Sequence, residues 1–441
     1  MQRLKIGVIG SGISGLSSAW ALSEAHDVTV FEAENRLGGH TNTMAIETAD
    51  GAINVDTGFI VFNELNYPNL TAFFRHLKVE TAPSDMSFAV SIGRGAYEYS
   101  GSLTGFFSQA RHLASPKHWR LFSDIRRFFG TGQTAVAGFG EDTTLGEFLK
   151  AERYSAAFVD DHILPMGAAI WSSDVTEMLE FPARTFIDFY ANHGLLQMSG
   201  QPAWRTVKGG SQNYIEKIKA TAPITFRTGT PIAQVTRENG QVTVTDRSGG
   251  MEVFDQVIFA THADTTVKIL ADQDPEEQSL LSAFRFQKNR AVLHRDISQM
   301  PKRKRVWASW NYLKPDPNHD AGLSVTYWMN RLQPLPTRED IFVTLNPASA
   351  IRDDKTIATV DYDHPVFTAD AVAAQKHLWS LQGRGGVWHC GAWFGYGFHE
   401  DGIQSGLAVA EDLGGVTRPW TVANPSGRIH RTLPVLAEAA E

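Results

Sequence analysis

Gly10-Ser11-Gly12-Ile13-Ser14-Gly15 fits G-x-G-x-x-G, and it falls between a predicted strand and a predicted helix. At this spacing Gly10 permits a tight turn, Gly12 lets a pyrophosphate approach the backbone, and Gly15 lets helix and sheet pack closely. The start of that helix offers unpaired N–H groups and partial positive charge to phosphates. Glu32 ends the next predicted strand, where a carboxylate can accept from ribose hydroxyls. The chemistry is dinucleotide binding. Other candidates are few. The fifteen His residues show no metal-ligand spacing, so no metal is expected. The single cysteine, Cys390, excludes an internal disulfide, a thiolate zinc cluster and a cysteine-ligated iron–sulfur cluster.

The residues after the second strand indicate which dinucleotide. Glu32-Ala33-Glu34-Asn35-Arg36-Leu37-Gly38-Gly39-His40 resembles the E-x-x-x-R-x-G-G signature of the flavin-containing amine oxidase superfamily, which includes monoamine oxidases, protoporphyrinogen oxidase and phytoene desaturases. The resemblance implies FAD, with Glu32, Ala33, Arg36, Gly38, Gly39 and His40 beside its ribose and pyrophosphate. Asp56-Thr57-Gly58-Phe59 sits where the superfamily's D-x-G segment approaches the flavin. Thr206-Val207-Lys208-Gly209-Gly210-Ser211 resembles its central G-G element, Val235 matches the residue whose backbone meets the adenine, and Ala260 joins the same contact set. Gly391, followed by Gly397-Phe398-His399-Glu400-Asp401-Gly402-Ile403, resembles the closing G…G-x-x-E-G-A element, with Asp401 and Gly402 in place of the usual Gly-Ala. A helix starting near Glu400 would aim N–H groups at the flavin edge that gathers negative charge on reduction. Gly391, Gly402 and Ile403 complete the cofactor set. His399, Glu400 and Asp401 are the candidates for catalytic work. The superfamily's covalent cysteine does not align with Cys390, so the FAD is expected to be noncovalent. No second G-x-G-x-x-G is present; Gly130-Thr131-Gly132 and Gly383-Arg384-Gly385-Gly386 lack its spacing, so the electron acceptor is read as oxygen, a quinone or another molecule, not NAD(P).

These residues need a particular frame. Leu4 to Ile9 reads as a buried strand, Ser14 to Ser23 as a helix, and Val28 to Phe31 as a second strand, a βαβ opening. Ile232 to Val244 alternates like a hairpin turned at Asn239-Gly240, and Glu252 to Phe259 reads as one further strand. Two stretches rich in Phe, Trp and His, near Ile60 to Trp204 and Leu280 to Gly383, hold most of the helical patterns. The layout is an α/β (α+β) two-domain flavoprotein of amine-oxidase-like fold. Residues 1–60, 205–280 and 384–425 form a discontinuous Rossmann-type FAD-binding domain, 61–204 and 281–383 an inserted substrate domain, and 426–441 a C-terminal tail.

Composition limits the function classes. The 441 residues carry a net charge of −8, with 42% hydrophobic and 20% charged side chains, the profile of a folded and soluble protein. An acidic total argues against nucleic acid as the main partner. Ile6 to Ser23 is the longest uncharged run, but glycine and serine break it too often for a membrane span. The expected location is the cytoplasm, with any membrane contact peripheral and at the inner membrane surface.

Eleven Trp and twenty-six Phe fall heavily in the two insertions. From Ser115-Pro116, a helix start, Leu121, Phe122, Ile125, Phe128 and Phe129 share an arc of about 120°, with Lys117, Arg120 and Arg127 on the other side. Two readings stand: a core helix with a solvated basic face, or a helix lying in a lipid interface. A second basic stretch runs from Arg285 to Lys302-Arg303-Lys304-Arg305 and reads as a solvated loop or a patch for anionic headgroups. Segments such as Asp56 to Asn63, Pro165-Met166 with Ala169-Ile170-Trp171-Ser172, and Asn192-His193-Gly194-Leu195-Leu196 are similar to a bacterial group of NAD/FAD-binding proteins. One of these resembles the desaturase of methyl-branched acyl lipids in furan fatty acid formation. That resemblance implies an FAD-dependent oxidoreductase that desaturates an acyl chain of a membrane phospholipid by hydride transfer to flavin N5, with a lipid or other apolar substrate. Three alternatives remain open: a flavin amine oxidase, a redox-neutral lipid isomerase and a non-enzymatic flavin or lipid carrier.

Overall fold

The strand Lys5–Ile9 (β1) is buried along nearly its whole length, as a central strand covered on both faces must be. In this computed structural model, which describes residues 2–171, 177–192, 196, 202–316 and 324–431, β1 sits at the middle of a five-stranded parallel sheet. Its neighbours are Asp27–Phe31 (β2), Ile224–Arg227 (β3), Gln256–Phe259 (β4) and Val387–His389 (β5), in the order β3-β2-β1-β4-β5. This is a mixed α/β fold of helices and several sheets. Helix α1, Ile13–Leu22, leaves β1 through Gly10, whose φ of 103° only glycine adopts without strain.

A meander of Ile232–Glu238, Gln241–Asp246 and Met251–Phe254 lies beside this sheet, turning at Asn239 and Gly240, both at positive φ. The strand expected over Glu252 to Phe259 is two strands. Asp255 breaks it: its N–H donates to the Lys5 carbonyl and its carboxylate accepts from the Lys5 N–H, which turns the chain from the meander into the parallel sheet.

The second half of the molecule rests on a seven-stranded sheet. Its order is Thr356–Val366, Arg285–His294, Phe342–Leu345, Val325–Trp328, Trp310–Lys314, Phe88–Ile92, Tyr97–Ser100. The helical character expected for residues 280–383 is therefore corrected: among the described residues its longest elements are the strands Arg285–His294 and Thr356–Val366. Phe342–Leu345 is buried at every position, so its side chains show no polar alternation to read. Residues 68–192 supply helices. Pro116–Val136 (α3) starts at Ser115, whose hydroxyl accepts from the His118 N–H. Its apolar arc points inward: Leu121, Ile125 and Phe128 are buried in the large core of this half, and Phe122 and Phe129 are partly buried against it. That packing answers the two readings of this face in favour of the core. Among the described residues no helix is long and apolar enough to cross a membrane.

Helix α4, His399–Gly414, joins the two halves and lies across α1. It is buried over most of its length because glycines remove side chains at the contact. A Cβ at Gly402 would lie 2.7 Å from Ile13 Cγ2, and one at Gly406 would collide with the Ser14 carbonyl and the Ser17 hydroxyl. Gly406→Ala should therefore cost about 1–3 kcal/mol, the usual penalty of overpacking. The check is denaturant unfolding of purified protein, with Gly130→Ala, which meets nothing within 4 Å, as the control.

Candidate functional site

Close packing of α1 on α4 brings the first turns of both helices to one place. Around it the glycine loop shows the features a dinucleotide needs. A Cβ on Gly10 would lie 2.7 Å from the Ala260 carbonyl, so the loop is pressed onto the end of β4. A Cβ on Gly12 would meet nothing within 4 Å, which leaves open space above the first turn of α1. Gly39 lies across that space, its Cβ direction 3.4 Å from Gly12 Cα. Ser11 N–H donates to Glu32 Oε2 at 3.0 Å, and the Ser11 hydroxyl receives the Gly38 N–H at 3.0 Å. Glu32 thereby stands at the loop with its carboxylate half-buried, Ile13 and Ser14 are buried in the first turn of α1, and Ala33 is exposed beside them.

Arg36 acts on the backbone. Its Nη1 donates to the carbonyls of Gly39 at 2.9 Å and Thr41 at 3.2 Å, and its Nη2 pairs with Glu34. It fixes the Gly38–Thr41 turn in place. His40 follows in that turn, stacked on Tyr362 at 5.0 Å and 5.1 Å from His364. Its Nε2 is buried without a protein partner, and burial holds its pKa well below the usual imidazole range. An open cradle over Gly12 and a buried imidazole nitrogen with no protein partner both fit a bound dinucleotide. In FAD such a group would supply phosphate and ribose acceptors to the loop and a flavin to the other end of the site.

Asp56 is fully buried and accepts from Ser211 N–H and hydroxyl, the Thr43 hydroxyl and Gln333 Nε2 at 2.7 Å. Burial pushes its pKa up to about 6 against those donors. Its contacts knit the 43–56 hairpin to the central G-G segment. Thr57 bonds to the Asn42 carbonyl and to Tyr362. Val235 is buried, and its carbonyl accepts from Ala271 N–H at 3.0 Å. Gly391 N–H donates to the Ser405 hydroxyl on α4, and Ile403 is buried behind the first turn of that helix.

The head of α4 carries the three catalytic candidates, and the structure separates them. His399 stacks on Phe59 at 3.7 Å between ring centres and 16° between planes. Its Nε2 lies 3.1 Å from the Thr41 hydroxyl, which lies 2.6 Å from the Tyr214 hydroxyl. Burial pushes its pKa down to about 3, so the ring is neutral at physiological pH. Glu400 points the other way. Its carboxylate accepts from the N–H groups of Asn69 and Leu70, from Asn69 Nδ2 and from Gln404 Nε2, and so caps Pro68–His76 (α2). Asp401 accepts from the Phe398 N–H at 2.8 Å and faces Arg428 at 3.6 Å. As candidate bases, Glu400 and Asp401 are thus engaged in holding α2, α4 and the C-terminal segment; His399 alone of the three lines an aromatic wall. Beside it Phe398 stacks on Phe189 at 5.1 Å, and Tyr396 lies 5.8 Å from Phe189. His193, Ser172 and most of the segment around His193 lie outside the described residues. Thr41, Tyr214 and Tyr362 escape sequence reasoning; their one signal is that Thr41 follows the Gly-Gly turn directly.

Cys390 is fully buried, and burial pushes its thiol up. Among the described residues no group of three or more His, Cys, Asp or Glu could hold a metal ion.

Comparison with known proteins adds the following. The model of the family described as flavin containing amine oxidoreductase matches residues 13–293. An L-amino-acid oxidase from Notechis scutatus scutatus is 45% identical over 49 residues, a stretch that spans 11% of this chain and 10% of that protein. Similar solved structures include a CLA-producing fatty acid isomerase from P. acnes, with a TM-score of 0.65, 15% identity and coverage of 93% of this chain and 97% of the other. A protein described as a protoporphyrinogen oxidase from Exiguobacterium sp. 255-15 gives 0.68 and 14%, covering 94% and 99%. Putrescine oxidase bound to putrescine gives 0.67 and 12%, covering 93% and 99%. At these identities the likeness is one of fold.

Two measurements check the cofactor site. Denaturing the purified yellow protein should release FAD into the supernatant, since the one cysteine, Cys390, is buried with its thiol held protonated. Glu32→Ala should lower FAD affinity through hydrogen bonds worth about 0.5–1.5 kcal/mol each, read by titration of flavin-free protein. Unchanged affinity would take Glu32 out of the cofactor site.

Proposed function

Since this chain belongs to the flavin containing amine oxidoreductase family and is an FAD-dependent oxidoreductase, we propose that it removes hydrogen from the acyl chain of a membrane phospholipid, at a methyl-branched position, and leaves a C=C bond. The observation that carries this reading is the neutral, aromatic head of α4. His399 is uncharged, Phe59 and Phe398 flank it, and the two carboxylates next in sequence are engaged with α2 and Arg428. An uncharged hydrocarbon loses nothing on entering such a place, whereas a charged group would need a partner. The likeness in fold to a fatty acid isomerase supports a hydrocarbon chain as substrate, and the likeness to putrescine oxidase supports the amine alternative.

The bound flavin supplies the hydride acceptor. The chain does the rest. The first-turn N–H groups of α4 favour negative charge in front of them, and that preference grows in a site without water. Phe59 holds the His399 ring flat, and the Thr41–Tyr214 pair fixes its Nε2. A neutral imidazole so held orients the reacting carbon and carries an unprotonated ring nitrogen that can take the proton from it. Apolar side chains packed beside this wall, Phe189 and Phe398 among them, would keep water from the reacting carbon. We place this work in the cytoplasm, at the inner membrane surface, with oxygen or a quinone taking the electrons afterwards.

Mixing oxidised enzyme with a methyl-branched phospholipid under anaerobic conditions should bleach the flavin and yield a product two mass units lighter. His399→Ala should slow that step by roughly 10²–10⁴-fold if the ring handles the proton, with FAD content unchanged. His399→Gln retaining most of the rate would mean that the ring positions only. Product of unchanged mass without bleaching would make the protein an isomerase, and bleaching by amines alone would make it an amine oxidase.

A further inference from the structure

The basic stretch at 302–305 and the start of α3, far apart in sequence, meet on one face. Three chain segments, Gly95-Ala96, Gln109 to Arg111 and Arg303 to Arg305, line an open surface depression of about 450 Å³. They are locked together at one atom: the Gly95 carbonyl accepts from Gln109 Nε2 at 3.3 Å and from Arg303 Nη1 at 2.8 Å. Arg303 also binds the buried Glu98, so its charge is offset from below. Arg111 bonds only to the neutral Gln109, and among the described residues Arg305 has no ion-pair partner. The depression therefore presents two uncompensated guanidinium groups on a fixed frame, in a protein of net charge −8.

Beside it stand two of the few large hydrophobic side chains that the fold leaves in water. Leu113 is 60% exposed and Trp119 is 46% exposed. They are adjacent, because Trp119 Nε1–H donates to the Leu113 carbonyl at 2.9 Å, and Phe107 lies 5.3 Å from the Trp119 ring. Leu113 and Arg111 leave opposite flanks of the short exposed helix Ala110–Leu113, whose His112 is buried between them. A cationic depression and an apolar pair, carried on the two flanks of one exposed helical turn, match the two layers of a lipid surface: guanidinium groups at phosphate depth, an indole and a leucine at the boundary with the chains.

We propose that this face docks the protein on anionic membranes, with Arg111 and Arg305 holding the phosphate of a phospholipid headgroup and Leu113 and Trp119 inserting beside it. The docking face is distinct from the buried apolar arc of α3 and does not rest on the reaction proposed above.

The test is flotation of the FAD-loaded protein with vesicles of phosphatidylcholine alone and with 30% phosphatidylglycerol added, as about a third of the lipid, at low salt. Binding should appear with the anionic vesicles and fall as salt rises. Arg111→Gln with Arg305→Gln should weaken it roughly 10-fold or more, and Trp119→Ala should weaken it at every salt concentration, with FAD content unchanged in both variants. Free glycerol phosphate at millimolar concentration should fail to displace the protein, since a membrane and not a soluble phosphate is the partner. Equal binding to both vesicle types, undiminished binding by the double variant, or displacement by glycerol phosphate would overturn the proposal. Lost flotation with continued lipid turnover in detergent would leave the acyl-chain reading intact, and flotation without turnover would count against that reading alone.

Discussion

The close contact between α1 and α4 is the constraint on which the rest of the structure depends. Both helices begin at the candidate site, one from the glycine loop after β1 and one from the aromatic segment after β5. Gly402 and Gly406 let α4 lie so near Ser14 and Ser17 that no side chain separates the two backbones. The contact brings two helix N-termini to one place, so the same packing that closes the core also sets the electrostatics there. It ties chain ends almost four hundred residues apart, which is why a domain assembled from discontinuous segments can hold one geometry.

That arrangement decides what the charged residues around it do. Glu400 stands in the first turn of α4, yet its carboxylate caps α2 and joins the cofactor region to the helix that carries Phe73 and Phe74 into the neighbouring core. Asp401 closes its own helix turn and meets Arg428 from the C-terminal segment. Arg36 and Asp56, two further charged groups near the cofactor, hold backbone turns and a hairpin. The charge at the site is thus spent on the frame, and what the frame presents is neutral: an imidazole with a depressed pKa, two hydroxyls and a set of aromatic rings.

The sequence was informative where chemistry forces a local pattern. Gly10, at a positive φ, and Gly15, whose Cβ would strike the Gly10 carbonyl, had to be glycine for steric reasons that act within six residues, and the strand, turn and helix around them were legible for the same reason. The hairpin at Asn239-Gly240 was legible because its turn needs positive φ. The strands of residues 285–366 were not, because Phe342–Leu345 is covered on both faces and shows no alternation. The partners of Glu400 were hidden for another reason: Asn69 and Leu70 lie some 330 residues away, and nothing local marks a carboxylate as the cap of a distant helix. The Phe59–His399 stack and the Thr41–Tyr214 pair are likewise products of the assembled fold.

The most direct measurement is a crystal structure of the FAD-loaded protein holding a methyl-branched phospholipid under anaerobic conditions. The account predicts the flavin at the junction of α1 and α4, with the branched carbon about 3–3.5 Å from its N5, His399 still stacked on Phe59 and Glu400 still capping α2. An acyl chain bound elsewhere, or a Glu400 released from α2 and turned to the substrate, would contradict it.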